Sequence, residues 1–200
     1  PGVVLVSDAA VKGVGGVASA PGRSIDDLVS VTLQSQIPAA IQVASSTCRE
    51  ISGMLSLFQT LLADPVWRAR LEHRAVKLLT DNQGVAFDVQ NMHGADSIYP
   101  HVLRLYELAA QYDIDIQIEW RPREDNLLQY ADLHSKMVDT ADWAISSDVF
   151  AGLCQLWQVG PTVDWFARSW SAKCACFYAR YLMPGAAGVD AFDHCWALPN

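Results

Sequence analysis

Positive charge is scarce in this chain: 14 Lys and Arg face 22 Asp and Glu, a net charge of −8. Phosphate binding is driven by Lys and Arg, so the deficit excludes a protein that grips nucleic acid by bulk electrostatics. A nuclease stays open, because metal ions supply positive charge locally and a neighbouring domain can supply grip. Between residues 82 and 100 there is neither Lys nor Arg. Long apolar runs are missing too. No stretch approaches the roughly 20 residues of a membrane-spanning helix, and no charged-then-apolar leader opens the chain. The expectation is a soluble, intracellular protein, nuclear or cytoplasmic, with no membrane partner. The start at Pro1 reads as a fragment or a processed product whose targeting signal is not visible. A disulfide framework is lacking as well: five cysteines, at 48, 154, 174, 176 and 195, are odd in number and unevenly placed. They also lack the paired spacing of common zinc modules, so ordinary buried thiols are the simpler reading.

Carboxylates stand out among what is present. Asp8 closes the apolar run Val3-Val4-Leu5-Val6-Ser7, and Asp81 closes Ala75-Val76-Lys77-Leu78-Leu79-Thr80. Runs this short and rich in Val and Leu, bounded by turn signals, read as buried strands. An unpaired carboxylate at the end of a buried strand is costly, so it changes its pKa, finds a partner or holds a metal. Metal binding makes the chain a candidate metal-dependent enzyme.

The first strand leads through Ala9-Ala10-Val11-Lys12 into Gly13-Val14-Gly15-Gly16. No helix pattern follows these glycines, which argues for a tight hairpin and close backbone approach rather than a dinucleotide loop. Pro21-Gly22 turns the chain into a third strand over 28–33, completing an antiparallel meander. Residues 46–63 carry apolar side chains on one helical face, with Ser45-Ser46-Thr47 as capping oxygens and Asp64-Pro65 as the stop. Glu50 in the first turn has two readings, the acid of a capping box Thr47-Cys48-Arg49-Glu50 or a catalytic residue. A fourth strand ends at Asp81, helices follow over 83–92 and 100–112, and Ile114, Ile116, Ile118 and Trp120 alternate as a fifth strand. A last helix over 127–136 presents Asp132. The basic patch from Arg68 to Arg74 reads as a solvated face between a helix and a strand, or as a surface that tracks phosphates. Strands alternating with helices imply parallel pairing in the second half, and hence an α/β fold with a mixed five-stranded sheet flanked by helices.

Acids on a first strand, a first helix, a fourth strand and a last helix resemble the ribonuclease H fold. The motifs resemble more closely the ribonuclease H domain of reverse transcriptases in DIRS-like, tyrosine-recombinase retrotransposons. They are Ser7-Asp8-Ala9-Ala10-Val11-Lys12-Gly13, Ser45-Ser46-Thr47-Cys48-Arg49-Glu50, Leu79-Thr80-Asp81-Asn82-Gln83-Gly84, Trp120-Arg121-Pro122-Arg123-Glu124-Asp125-Asn126, Ala131-Asp132-Leu133-His134-Ser135-Lys136 and Asp139-Thr140-Ala141-Asp142-Trp143. The resemblance implies a domain over 1–143 that cleaves the RNA strand of RNA–DNA hybrids during reverse transcription, beside an adjoining polymerase domain. It assigns Asp8 to bridge two Mg²⁺ or Mn²⁺ ions, Glu50 and Asp81 to complete one site and Asp132 the other. All-carboxylate ligands suit these hard cations. Hybrid contacts fall to backbone amides around Gly13, Gly15 and Gly16 and to the side chains of Asn82 and Gln83. The spacer between Asn126 and Asp132 exceeds the family's usual length, which leaves Asp139 as an alternative fourth ligand. No histidine lies in 121–126, where relatives use one in product release; Glu124 is the candidate replacement, and His134 reads as structural.

Beyond Trp143 the composition shifts to a Trp-rich extension over 144–200, with one amphipathic helix expected over 146–158. It resembles the segment that follows ribonuclease H in DIRS-like elements; the Pro-Pro-aromatic signature of a methyltransferase is absent. The competing reading is a domesticated, catalytically inactive scaffold in a ribonucleoprotein or protein complex, and a third keeps the metals but acts on a DNA junction or transposon end.

Overall fold

The computed structural model describes residues 2–21, 28–136 and 144–194 and divides into two compact units, Pro1–Met137 and Val138–Asn200. In the first unit, β1 (Val3–Ala9), β2 (Gly13–Pro21) and β3 (Leu28–Gln36) form an antiparallel meander. Then come α1 (Ala39–Gln42), α2 (Ser46–Ala63), α3 (Pro65–Leu71), β4 (Ala75–Thr80), α4 (Gln83–Gln90), α5 (Tyr99–Gln111), β5 (Asp115–Trp120) and α6 (Asn126–Lys136). The sheet order is β3-β2-β1-β4-β5, with β4 parallel to both β1 and β5. This is the mixed five-stranded sheet that the alternation of strands and helices implied.

The strand at the centre is the most apolar. Val3, Leu5 and Val6 on β1 are buried with Val76, Leu78 and Leu79 on β4. A strand covered on both faces cannot alternate apolar with polar, which is why these two runs read as nearly continuous. β5, at the edge, alternates from Asp115 to Ile118, with Asp115 and Gln117 exposed; the pattern ends there, because Trp120, expected to face inward, is exposed. On α2, Ile51, Met54, Leu57, Phe58 and Leu61 are at most 1% exposed and pin this helix against the sheet. Val6, Val17, Leu79, Leu128 and Ala131 form a cluster between α6 and the sheet.

Two boundary readings change. The cap of α2 is Ser45, whose hydroxyl accepts from the Cys48 amide at 3.2 Å. The capping box assigned to Thr47 and Glu50 is therefore two residues out of place: Thr47 is already inside the helix, and Glu50 is not the acid of the cap. Asp64-Pro65 ends α2 as expected, but it also opens α3, with Asp64 Oδ1 accepting from the Trp67 amide at 2.8 Å. Proline has no amide to lose at a first helical position. The patch from Arg68 to Arg74 thus lies partly on a helix, where Arg68 pairs with Glu72 at 3.6 Å and Arg70 stacks on Trp67.

Gly15 and Gly16 lie buried inside β2, paired with both neighbouring strands. A Cβ at Gly15 would collide with the backbone of α6, meeting Ala131 O at 2.6 Å as well as His134 and Ser135; one at Gly16 would meet Leu57 and, at 2.5 Å, Val6 O. The glycines let α6 and α2 settle directly on the sheet.

The second unit contains α7 (Ser147–Trp157), capped by Ser146, and a small sheet of β6 (Val163–Asp164), β7 (Cys176–Ala179) and β8 (Gly188–Val189) in the order β6-β7-β8. Trp165 stacks on Tyr178 with ring centroids 4.6 Å apart, and Ala167, Phe177, Ala179 and Met183 form its core. Asp139, the motif through Trp143, Cys195 and Trp196 lie outside the described residues.

Gly15→Ala should destabilise the first unit by at least about 2 kcal/mol, since the added methyl meets backbone that cannot step aside. Urea unfolding followed by circular dichroism measures this. Gly152→Ala, on α7 with nothing within 4 Å of an added Cβ, should be neutral or stabilising by up to about 1 kcal/mol.

Candidate metal centre

Parallel pairing builds the site. The β1/β4 register matches Val6 with Leu79; two residues further along each chain lie Asp8 and Asp81, at the same level of the sheet. Asp8 is still inside β1, and Asp81 is the first residue past β4. The first turns of α2 bring Glu50 over the same end. Ligand oxygens of Asp8, Glu50 and Asp81 all lie within 4.8 Å of one another, the one such group of metal-ligating side chains among the described residues. Opposite oxygens on a six-coordinate Mg²⁺ are roughly 4.2 Å apart, twice a bond of 2.0–2.1 Å. The three carboxylates are thus close to the span of a single hard cation, and no His or Cys enters the group.

Their electrostatics agree with that geometry. Asp8 is 5% exposed and Glu50 9%. Burial pushes the Glu50 carboxyl up to about 8, and the neighbouring Asp8 and Asp81 push in the same direction; a hydrogen bond from the Ala9 backbone and the Arg123 charge oppose them. Asp8 is also raised, first by burial and then by Asp132 and Asp81, against a hydrogen bond from Ser135 Oγ to its Oδ2 and the charge of Arg123. Carboxylates crowded in this way hold protons unless a cation takes their place.

Asp132 stands at the rim. It lies on α6 near enough to raise Asp8 electrostatically, yet it is outside the close group of three. Its carboxylate is engaged by Lys136 Nζ at 2.7 Å and by Arg123 Nη2 at 3.7 Å. Arg123 also reaches Asp81 Oδ2, at 3.2 Å from its Nε. Ser135 links the same helix to the centre, since its hydroxyl contacts both Asp8 and the Asp132 carbonyl.

The residues expected to touch a nucleic acid divide. Gly15 and Gly16 are buried between helices and strands, so their assignment to substrate amides is replaced by a packing role. Gly13 is half-buried at the turn that joins β1 to β2, where its carbonyl accepts from Ala10 at 2.9 Å and an added Cβ would meet Ser135 O at 2.7 Å. Asn82 caps α4 through its Oδ1, which accepts from the Val85 amide at 3.2 Å, and Gln83 is exposed beside it. Trp120 ties this corner down by donating from Nε1 to the Asp81 carbonyl at 3.0 Å. His134 is 5% exposed with its ring centroid 4.4 Å from that of Tyr130, a packed position. Glu124 is exposed on the loop after β5.

Sequence reasoning gave no role to Arg123 or Lys136. Lys136 was within reach of it, four residues after Asp132 on one helix. Arg123 was not: its pairing with Asp81 spans 42 positions and exists only once β4 and the loop after β5 are side by side.

No family model matches the chain, and no curated protein matches it. Among solved structures, ribonuclease H1 of the halophilic archaeon Halobacterium salinarum NRC-1 is 18% identical with a TM-score of 0.50, over 67% of this chain and 94% of that one. The N-terminal ribonuclease H domain of a Mycobacterium tuberculosis protein is 17% identical with a TM-score of 0.42, over 78% and 97%. LC11 ribonuclease H1, solved in complex with an RNA/DNA hybrid, is 14% identical with a TM-score of 0.47, over 70% and 98%. At these identities the likeness establishes the fold, and the first of the three carries it: the five-stranded sheet with its helices is the ribonuclease H fold.

Glu50 makes the metal-free protein sensitive to pH. Its carboxyl ionises near 4.5 in an unfolded chain and near 8 in the folded one, so between those values the unfolded state releases a proton that the folded state keeps. Stability should therefore fall as pH rises from about 4.5 to about 8 and level off above. In EDTA, Glu50→Gln should flatten that slope and be more stable than the parent at pH 8.5 by on the order of 3 kcal/mol, read by urea denaturation at both ends of the range.

Proposed function

We propose that this chain is a divalent-metal-dependent endonuclease that cleaves the RNA strand of RNA–DNA hybrids, working in the reverse transcription of a retroelement beside a polymerase domain. The observation that carries this reading is the convergence of Asp8, Glu50 and Asp81 at one end of the central strands of a ribonuclease H fold. Nothing in strand packing asks for three carboxylates at one point; a hard cation does.

Asp8, Glu50 and Asp81 would hold Mg²⁺ or Mn²⁺, with Asp132 on the side of a second ion. Such ions activate water and stabilise the leaving oxygen of an in-line displacement at phosphate, giving a 5′-phosphate and a 3′-hydroxyl. The chain's own side chains do the rest. Ser135 orients Asp8 by donating to it. Arg123, 68% exposed at the rim, has the planar fork that suits a phosphate oxygen pair. Asn82, whose Oδ1 is used in capping α4, and the exposed Gln83 would supply side-chain donors to a 2′-hydroxyl in the shallow minor groove. Gly13 remains as a backbone contact at the hairpin end.

Weak grip follows from charge. The segment from α4 to the start of α5 carries no Lys or Arg, and the net charge is −8. A polymerase domain that binds the same hybrid removes the difficulty, and it places the protein inside the cell, in nucleus or cytoplasm. On this reading residues 1–143 are the catalytic domain and 144–200 an extension to it.

One observation favours the scaffold alternative: Asp132 is held by Lys136 and Arg123 rather than joined to the other three. Cleavage decides between them. With Mn²⁺ and the polymerase partner present, the chain should cut the RNA strand of a hybrid in preference to duplex DNA. Asp8→Asn and Asp81→Asn should each lower that rate on the order of 10³-fold or more while leaving the circular dichroism spectrum unchanged. A folded parent protein that leaves the hybrid intact under those conditions is the inactive scaffold.

A further inference from the structure

Charge at the site is nearly balanced for one ion. The cluster and its rim carry Asp8, Glu50, Asp81 and Asp132, and two basic side chains contact them, Arg123 and Lys136. Four negative and two positive charges leave −2 when all are ionised, which one divalent ion cancels. A second would leave the centre at +2, close to a guanidinium that never loses its proton.

The placement of the two cations is equally one-sided. Lys136 rises from the same face of α6 as Asp132, four residues on, with Nζ 2.7 Å from Oδ2. Arg123 comes from the loop between β5 and α6 and spans the gap between the two acids, with Nε on Asp81 and Nη2 on Asp132. Asp8, Glu50 and Asp81 keep their oxygens turned towards one another, while both oxygens of Asp132 face a cation. Both basic side chains are more than half exposed, 68% for Arg123 and 61% for Lys136, so each can meet a phosphate at the rim without leaving its place.

We infer that Arg123 and Lys136 stand in for the second divalent ion: the free protein binds one ion through Asp8, Glu50 and Asp81, and fixed cations on the Asp132 side supply the charge a second would bring. The inference rests on the proposed metal-dependent reading and departs from it in one respect: in the free protein Asp132 anchors two cationic side chains in place of a second ion. Opposite charge stabilises each carboxylate in its ionised form, and like charge repels an incoming cation at contact range far more than across bulk water.

Mn²⁺ alone, titrated into the whole chain without nucleic acid and followed by calorimetry and by the loss of the free-ion electron paramagnetic resonance signal, tests this. The expected result is one ion for the parent protein, and a second ion, bound at least about tenfold more tightly than in the parent, for the double variant Arg123→Gln, Lys136→Gln. Both positions are exposed, so the variant should fold; the single variant Lys136→Gln should lie between the two. Two ions of similar affinity in the parent, or a double variant that still takes only one, would overturn the inference. Hybrid cleavage run alongside separates the readings. Cleavage by a parent protein that binds two ions removes the stand-in role and leaves the nuclease, whereas neither ion binding nor cleavage removes both.

Discussion

Mutual repulsion among carboxylates is the constraint on which the structure turns. Parallel pairing of β1 with β4 places Asp8 and Asp81 at one level, and α2 lays Glu50 across them. Left to themselves, these groups would ionise in the acid range and push apart. Packing prevents that: α2 is fastened by a row of fully buried apolar side chains, and the strands are locked by their ladder. Burial first, and then the neighbouring carboxylates, raise both groups: Glu50 is pushed up to about 8 and Asp8 is raised above its ordinary value. A fold that stores like charges in this way is poised for a cation, and the hydrophobic core supplies the force that keeps it so.

The other half of the site depends on two missing side chains. Because Gly15 has no Cβ, α6 approaches β2 at backbone distance, and the bare Gly16 makes room for the Leu57 side chain of α2. That approach carries Ser135 to Asp8, and Asp132 with Lys136 to the rim. A segment that at first resembles a substrate loop is thus the seat of the helix that frames the centre. Its contribution to function is real but indirect, through where it allows α6 to lie.

Much of this was legible beforehand. Asp8 and Asp81 announced themselves as acids at the ends of apolar runs, and the strand–helix alternation was enough for a mixed five-stranded sheet. Glu50 was ambiguous because a capping box and a metal ligand use the same residue types at the same spacing; only the position of Ser45 as the cap separated them. The start of α3 was hidden because proline ends one helix by the same property that lets it begin another. Arg123 was silent for a different reason: an ion pair between distant segments leaves no periodicity to read.

What the sequence by itself determined is the set of local consequences: which runs bury, where helices start and stop within a turn, and the supply of hard oxygen ligands without nitrogen or sulfur. These follow from periodicity, capping and side-chain chemistry, each confined to a few neighbouring residues. Only the tertiary structure decided that three of the acids meet while the fourth lies beside Lys136 and Arg123, and that Gly15 packs under α6 and Gly16 under Leu57 of α2. Those outcomes depend on distances between segments remote in the chain, and electrostatic energy depends on such distances and on burial, neither of which is written at any single position.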